Sequence, residues 1–555
     1  MAQDGTTFGG HRGPLVCGAL GRYDRERVRR MATALGGDDV RLRHEDRTSA
    51  LAMDREPLRW GYRGQQGLGW IEGVPWRPGA TTWEEASTAG ACGLVLDGRH
   101  RRLHSSINGI GAVYWMVDGD ALYFASRIDP LVQTSPRLLS IDWDAWASII
   151  AVRFPAADRT PFAEVRRLEP YATLAVRRGR TLVESPPWPW AHVEQHLDRR
   201  EAGAALAQSL RETVEAVGRP VLVPLSGGRD SRMLACAFAE AGLAARAVSV
   251  ADDEGDTHEE DLARPVAEAL GLEQGRLAAD PDDYPASWQA RARLVEHQFV
   301  DHAWLVPLSR YVARQDLPIS DGLAMDTMLG QGTRFFLPET LERADPARAS
   351  LALFDSMRRY GRGHLALADH LHGPVEDRAR TLFLSVAEQF HGAQEQTRLT
   401  FYRTRTVRGV ASYATGLLGQ RASVVAPAIS NDFAVASLAA TSEARELDHL
   451  YVATFDVLAP HIGRMPSTAT AERQAPHLPR VWRSDPAVEA HRRRIARGPL
   501  RGLVSPDLRD WLRSPTRGEL SPDLRLGMEA ISLLHSWWWR YRDRLHEVDV
   551  KDLVG

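Results

Sequence analysis

Pro224-Leu225-Ser226-Gly227-Gly228-Arg229-Asp230-Ser231-Arg232 brings two hydroxyls, two glycines and a carboxylate together directly after an apolar run. Without Cβ atoms, Gly227 and Gly228 let backbone N–H groups approach an anion closely. Ser226 and Ser231 add donors, and a helix starting here adds the positive end of its dipole. Such a loop grips phosphate. Asp230 is out of place beside an anion unless a cation lies between them. Mg²⁺ shared by the carboxylate and phosphate oxygens removes the conflict. A serine-capped turn would explain Ser-Gly-Gly alone, but not the whole pattern behind a buried strand.

A second carboxylate follows in Ile319-Ser320-Asp321-Gly322-Leu323-Ala324-Met325-Asp326, before Gly330-Gln331-Gly332. Carboxylate oxygens are hard ligands of the kind that Mg²⁺ takes. The elements that must hold them show in the hydrophobic pattern. Val221–Leu225 reads as a buried strand, Ser231–Ala241 as a helix, Arg246–Val250 as a strand and His258–Leu270 as a helix. This alternation predicts a parallel sheet covered by helices. Upstream, short alternating segments broken by Asp97-Gly98, Asp118-Gly119-Asp120 and Arg177-Arg178-Gly179-Arg180 predict an antiparallel sheet domain. Pro186-Pro187-Trp188-Pro189-Trp190 reads as a linker, and helical patterns dominate beyond residue 280. The expected division is residues 1–192 and 193–555.

A chain of 555 residues exceeds one hydrophobic core, and a formal net charge of −3 gives no global attraction to nucleic acid or an anionic membrane. No apolar run is long enough to span a bilayer, and Cys17, Cys92 and Cys236 have no metal-ligand spacing. Reduced thiols and a cytoplasmic location are expected. Only Lys551 is lysine, so cationic roles elsewhere fall to arginine, which cannot act as a proton acceptor at ordinary pH.

Ser-Gly-Gly-x-Asp-Ser at Ser226–Ser231 resembles the signature of the PP-loop ATP-pyrophosphatases, which include asparagine synthetase. Asp256-Thr257-His258-Glu259-Glu260-Asp261-Leu262-Ala263 is similar to the segment after their second strand, and Asp321 to Asp326 resembles their second nucleotide loop. The resemblance implies ATP cleaved to AMP and pyrophosphate, with Leu225, Ser249 and Val250 beside adenine and ribose. It also implies nucleotide contacts from Ser226 to Ser231 and from Asp321 and Gly322, and Mg²⁺ on Asp230 and Asp326. Asn108-Gly109-Ile110-Gly111, Phe124–Leu131 and Val165–Pro170 resemble the glutaminase domain of asparagine synthetase. The expected fold is therefore a degenerate glutaminase-like (Ntn) α+β sandwich, a PP-loop α/β synthetase domain and a helical C-terminal region. The glutaminase nucleophile is an N-terminal Cys whose own α-amine is the base. Cys17-Gly18 stands at that position, but sixteen residues precede it. No ammonia from glutamine is expected, and the nitrogen must come from an amine on the substrate.

Asparagine synthetase relatives with a lost glutaminase include β-lactam synthetases and lasso peptide cyclases. Arg229 and Arg232 within the loop, and Met465-Pro466-Ser467-Thr468 where other members carry a catalytic Lys, resemble the cyclases. Leu323 stands where the others have a Glu or Tyr base. The resemblance implies an Asp or Glu side chain of a leader-cleaved precursor core peptide adenylated and closed onto the peptide's α-amine, with a leader-recognition protein and a leader peptidase as partners. A β-lactam or other small-molecule amide synthetase is the alternative. A tRNA-modifying PP-loop enzyme fits the charge poorly, and a non-catalytic scaffold has no use for two metal-binding aspartates. Base candidates are His297 and His302, with Glu296 and Asp301 beside them, and His302 is preferred. Arg464 is the candidate for offsetting charge at the α-phosphate. Of Trp537-Trp538-Trp539, one or two are expected in the core, and the arginines from His491 to Arg501 on a solvated face.

Overall fold

The computed structural model describes residues 12–61, 65–97, 100–177, 179–250, 258–278, 280–337, 345–471, 485–513 and 521–553. Asp256 and Thr257, Gly98 and Arg178 lie outside them.

Twelve strands build two antiparallel sheets in the N-terminal region. They are β1 (Val16–Gly21), β2 (Arg41–Glu45), β3 (Ser49–Met53), β4 (Leu58–Trp60), β5 (Gln65–Ile71) and β6 (Ala91–Asp97). There follow β7 (His100–His104), β8 (Tyr114–Asp118), β9 (Ala121–Ala125), β10 (Arg166–Arg167), β11 (Thr173–Arg177) and β12 (Arg180–Glu184). The sheet orders are β10-β8-β9-β1-β3-β2 and β12-β11-β7-β6-β5-β4. Alternation sends Val16, Leu20, Leu51, Phe124, Leu68, Leu94 and Leu174 into one core between the sheets. Cys17, Ala19 and Ala52 face outward against Val28 and Met31 of the helix Arg25–Gly36. Gly119, at φ +59°, opens the two-residue turn that sets Asp118 opposite Ala121.

Gly13 to Val16, just ahead of Cys17, are woven into the fold. Gly13 N–H donates to Gly419 O at 2.5 Å, Leu15 N–H to Asp54 Oδ1 at 3.2 Å and Val16 N–H to Ser126 Oγ at 3.0 Å. Cys17 itself is fully buried, and desolvation pushes its thiol up to about 12.

The third sheet is parallel. It contains β13 (Val221–Pro224), β14 (Ala244–Val250), β15 (Gln274–Leu277), β16 (Ile319–Ser320) and β17 (Val424–Val425), in the order β15-β14-β13-β16-β17. The chain winds one way from β13 to β15 and returns on the other side through β16. The strand order therefore reverses between β13 and β16, where the carboxyl ends of an open α/β sheet leave a crevice. Val221, Leu222 and Val223 are buried to completion, which accounts for their unbroken apolar run.

The expected linker is a packed element instead. Trp188 and Trp190 are buried against each other and against Tyr402, and their indole N–H groups donate to Ile107 O and Asn431 Oδ1. Helices dominate the C-terminal region. In Pro522–Tyr541, Trp537 is buried against Trp146 and Phe162 while Trp539 reaches solvent. The basic run is less solvated than its composition suggests, because His491 is buried and Arg494 stacks 4.3 Å over Trp288. Among the described residues no helix is long and apolar enough to cross a membrane.

Candidate active site

Directly behind β13 the chain turns at Ser226–Gly228 into the helix Arg229–Glu240. Ser231 Oγ accepts from Ser226 N–H at 3.1 Å and lies 3.0 Å from Ser226 Oγ, which in turn accepts from Gly228 N–H at 3.1 Å. Glu259 Oε2 holds Gly227 N–H at 2.7 Å. The loop is thus preformed, with the hydroxyl pair and the helix N-terminus on one side of a cavity of about 640 Å³. That cavity occupies the β13–β16 crevice. Its walls include Leu225, Ser226, Gly228, Arg229, Asp230 and Ser231 from the first loop, and Asp321, Gly322, Leu323 and Asp326 from the second. Val248, Val250, His302, Arg405, Tyr413 and Thr468 also line it.

Most of the residues expected at the site meet here. Three of the nucleotide-contact and charge-offsetting candidates do not line it. Ser249 lies between Val248 and Val250, so strand alternation turns it away; its hydroxyl donates to Leu225 O at 2.7 Å and accepts from Gln274 Nε2. Gly227 supports the loop from behind. A Cβ there would come within 2.9 Å of Thr468 and 3.0 Å of Leu262, so only glycine lets those segments close. Arg464 sits exposed at the end of the turn Pro460–Gly463, outside the cavity wall, so the candidate for offsetting charge at the α-phosphate is misplaced. Arg229 and Arg405 are the cations that do line it.

The carboxylates explain what the cavity is built to hold. Asp230 is pushed up to about 7, first by burial and then by the charge of Asp326, although the Tyr451 hydroxyl donates to it at 2.6 Å. Asp321 is also raised to about 7 by burial, against hydrogen bonds from Leu323 N–H and Tyr413. Gly322 packs so close that a Cβ would lie 3.1 Å from Asp230 Cβ. Like charges crowded around one crevice are costly until a cation arrives. Hard carboxylate oxygens suit Mg²⁺, which typically takes one or two protein carboxylates and fills its remaining positions with water and phosphate. Among the described residues no group of three or more His, Cys, Asp or Glu forms a self-sufficient metal site. Asp230 and Asp326 therefore fit a metal bound together with a polyphosphate.

Arg229 is held by Asp448 at 2.6 Å and lies over the Tyr451 ring. Arg405 Nη1 is 4.0 Å from Asp326 Oδ2, with its guanidinium over Phe336 and Phe401. His302, at φ +67°, sets its ring 4.9 Å from Tyr413; burial lowers its pKa to about 4, so it is neutral at pH 7. The other base candidates serve structure. Glu296 Oε1 accepts from Ile128 and Asp129 N–H, His297 is buried against Ser536, and Asp301 pairs with Arg153.

Arg232 ties the site to a distant segment. Its guanidinium donates to Gly227 O, Leu262 O, Met465 O and Pro466 O, and Thr468 N–H donates back to Gly227 O at 3.0 Å. Residues 201–446 match the family model described as asparagine synthase. The match takes in both loops and the three aspartates of the cavity, Asp230, Asp321 and Asp326, and it supports an ATP-dependent, amide-forming synthetase. A search of the curated proteins returned no match.

The matched segment also holds the residues that sequence patterns missed. Arg405, Val410, Tyr413 and Leu418 come from π-helical turns at residues 402–410 and 412–418. From Arg405 to Leu418 is about three turns at roughly 4.4 residues per turn, so both face the cavity; at about 3.6 they would point nearly opposite ways.

Proposed function

We propose that this chain is a macrolactam synthetase of the lasso peptide cyclase type. It adenylates an Asp or Glu side chain of a leader-free precursor peptide and joins that acyl group to the peptide's own α-amine, releasing AMP and pyrophosphate. The observation that carries this reading is the docking of Met465-Pro466-Ser467-Thr468 on the phosphate loop through Arg232, which puts Thr468 in the cavity wall. Relatives that make asparagine or β-lactams are expected to place a lysine there. The buried Leu323 at the second loop likewise removes their base. A cavity of about 640 Å³ suits a nucleotide and the reacting groups, so a peptide would extend beyond it.

In the first half-reaction the substrate carboxylate oxygen bonds to the α-phosphorus of ATP, and the bond to the β-phosphate oxygen breaks. Ser226, Ser231 and the N-terminus of the helix Arg229–Glu240 face the departing pyrophosphate. A divalent cation held by Asp230 and Asp326 would neutralise charge on the phosphates. Arg405 supplies a fixed positive charge at the same wall. In the second half-reaction the amine nitrogen bonds to the acyl carbon, AMP leaves, and the nitrogen gives up a proton to His302, which is neutral and lines the cavity. Holding both ends of one peptide replaces a bimolecular encounter by a positioned one, a gain that reaches about 7–11 kcal/mol in favourable cases.

Cys17 is buried and preceded by woven chain, so we assign no glutamine hydrolysis to the N-terminal domain. Because the substrate needs a free α-amine, a leader peptidase acts upstream, with a leader-recognition protein to deliver the precursor. The test is pyrophosphate release by purified protein with Mg²⁺–ATP and leader-free peptides carrying one Asp or Glu. Peptide-dependent release, with a product lighter by one water, is expected. Release with amino-acid analogues alone would favour a small-molecule amide synthetase.

A further inference from the structure

Phe335 is the most exposed large apolar side chain among the described residues, at 72%, and it stands beside Tyr360, exposed at 50%. Their rings meet edge to face at 5.8 Å, and both contact the buried Phe336, at 4.9 and 5.9 Å. Three aromatic rings locked edge to face on a surface form a stiff platform, which loses little entropy when a ligand settles on it.

The platform is linked to the cavity through Arg405. Phe336 carries the Arg405 guanidinium at 5.7 Å, and Arg405 reaches to 4.0 Å from Asp326 while lining the cavity wall. On the other side, the Tyr360 phenol is raised above its ordinary value first by the charge of Asp301, the residue before His302. The exposed rings therefore adjoin the cavity wall at Arg405, which reaches towards Asp326.

We infer that Phe335, Phe336 and Tyr360 form a substrate subsite that takes apolar side chains of the precursor peptide next to the carboxylate being activated. This rests on the reading of the cavity as a peptide synthetase and adds a specificity element to it. A free amino acid ends within the cavity and has no side chains to lay on the platform. A peptide leaving by way of Arg405 and His302 crosses it, and apolar neighbours of the reacting residue gain edge and face contacts with the rings. Arg405, stacked on the same aromatic cluster, couples occupation of the platform to its own position over the reacting centre.

The test uses two synthetic leader-free peptides with free N-terminal amines and a fluorophore at the C-terminus, identical except that the single Asp is flanked by Phe and Leu in one and by Ser in the other. Binding is followed by anisotropy with Mg²⁺ and an ATP analogue that cannot be split between the α and β phosphates. The wild-type protein is expected to prefer the apolar peptide by about tenfold. Phe335→Ala should erase the preference without moving Tm, since the side chain is mostly in solvent, and Phe335→Tyr should keep it. Equal binding of both peptides by wild type, or a preference that survives Phe335→Ala, overturns the subsite. Binding of neither peptide by wild type overturns the peptide reading of the cavity, and the subsite with it.

Discussion

Asp230 carries an electrostatic cost at the site, because it is buried and faces the charge of Asp326, although Tyr451 donates to it. Asp230→Asn removes that cost and the metal together. Tm without metal should rise, while peptide-dependent pyrophosphate release falls by about two orders of magnitude or more. Thermal melts with EDTA and with Mg²⁺–ATP check both halves: the wild type should gain Tm with Mg²⁺–ATP, and the variant should not. His302 separates the two half-reactions. His302→Gln should leave ATP–pyrophosphate exchange intact and slow ring closure about 100-fold, the usual scale for a lost general base. Loss of exchange in this variant would show that His302 is needed before the amine attacks. Ser226, Ser231 and Asp326 stood out in sequence because polar groups cluster in short stretches there, and all three line the cavity. Tyr451 and Arg405 did not, since nothing in their own neighbourhoods signals that one reaches Asp230 and the other the cavity wall. Ser249 and Arg464 show the reverse error, in which nearness along the chain did not give the right direction in space.

At the level of elements, the Arg232 contacts hold the phosphate loop, the helix His258–Ala269 and the segment from Met465 to Thr468 as one unit. A lysine has one nitrogen and cannot reach all of these carbonyls. Arg232→Lys should therefore cost about 3 kcal/mol, in the range for lost charged hydrogen bonds in a buried place. It should also raise KM for ATP, which a urea melt and a nucleotide titration would measure separately. Ala324 holds φ at +70° in the second loop, where a Cβ is strained. Ala324→Gly should raise stability by about 1 kcal/mol with metal binding retained, whereas Ala324→Val should abolish it. The parallel sheet was legible because buried strands and helices alternate in the sequence. The π-helical stretch was not, because its cavity-facing residues recur at a spacing that an α-helical reading scatters around the axis.

Across the whole molecule, the segments that resembled a glutaminase domain hold the two regions together. Asn108 Nδ2 donates to Ile429 O, Tyr402 donates to Asn108 O, Arg167 reaches Val407 O, and Glu169 pairs with Arg403. Their motifs were readable in sequence, but their partners lie hundreds of residues away and were not. Several histidines are buried in neutral form. His104 and His535 are lowered to about 3 by desolvation, and His297 and His491 also fall well below their ordinary value. Once unfolded they titrate near about 6.5. Their contribution is whole above that value and is lost as pH falls from there towards about 3. Glu72 and Glu296, raised to about 7 by burial, work oppositely between their ordinary 4.5 and that value. Below about 4.5 carboxylates held low, such as Glu489 beside Arg492, add to the histidine trend, so urea midpoints should drop steeply there, and His104→Gln should flatten the slope. Cys17→Ala should leave pyrophosphate release unchanged within about twofold, as expected for a small buried side chain far from the ATP cavity.

The short stretch from Gly13 to Val16 decides how this protein can be cut. Gly419, which Gly13 grips, directly follows Leu418 of the cavity wall, so the first described residues brace the back of the nucleotide site. A polypeptide trimmed to start at Cys17 would free that amine only by pulling out the brace. One starting near residue 193 would lose it altogether, along with the partners of Ile429, Tyr402 and Arg403. Autonomous fragments should therefore be out of reach, and the two regions are best handled as one indivisible enzyme.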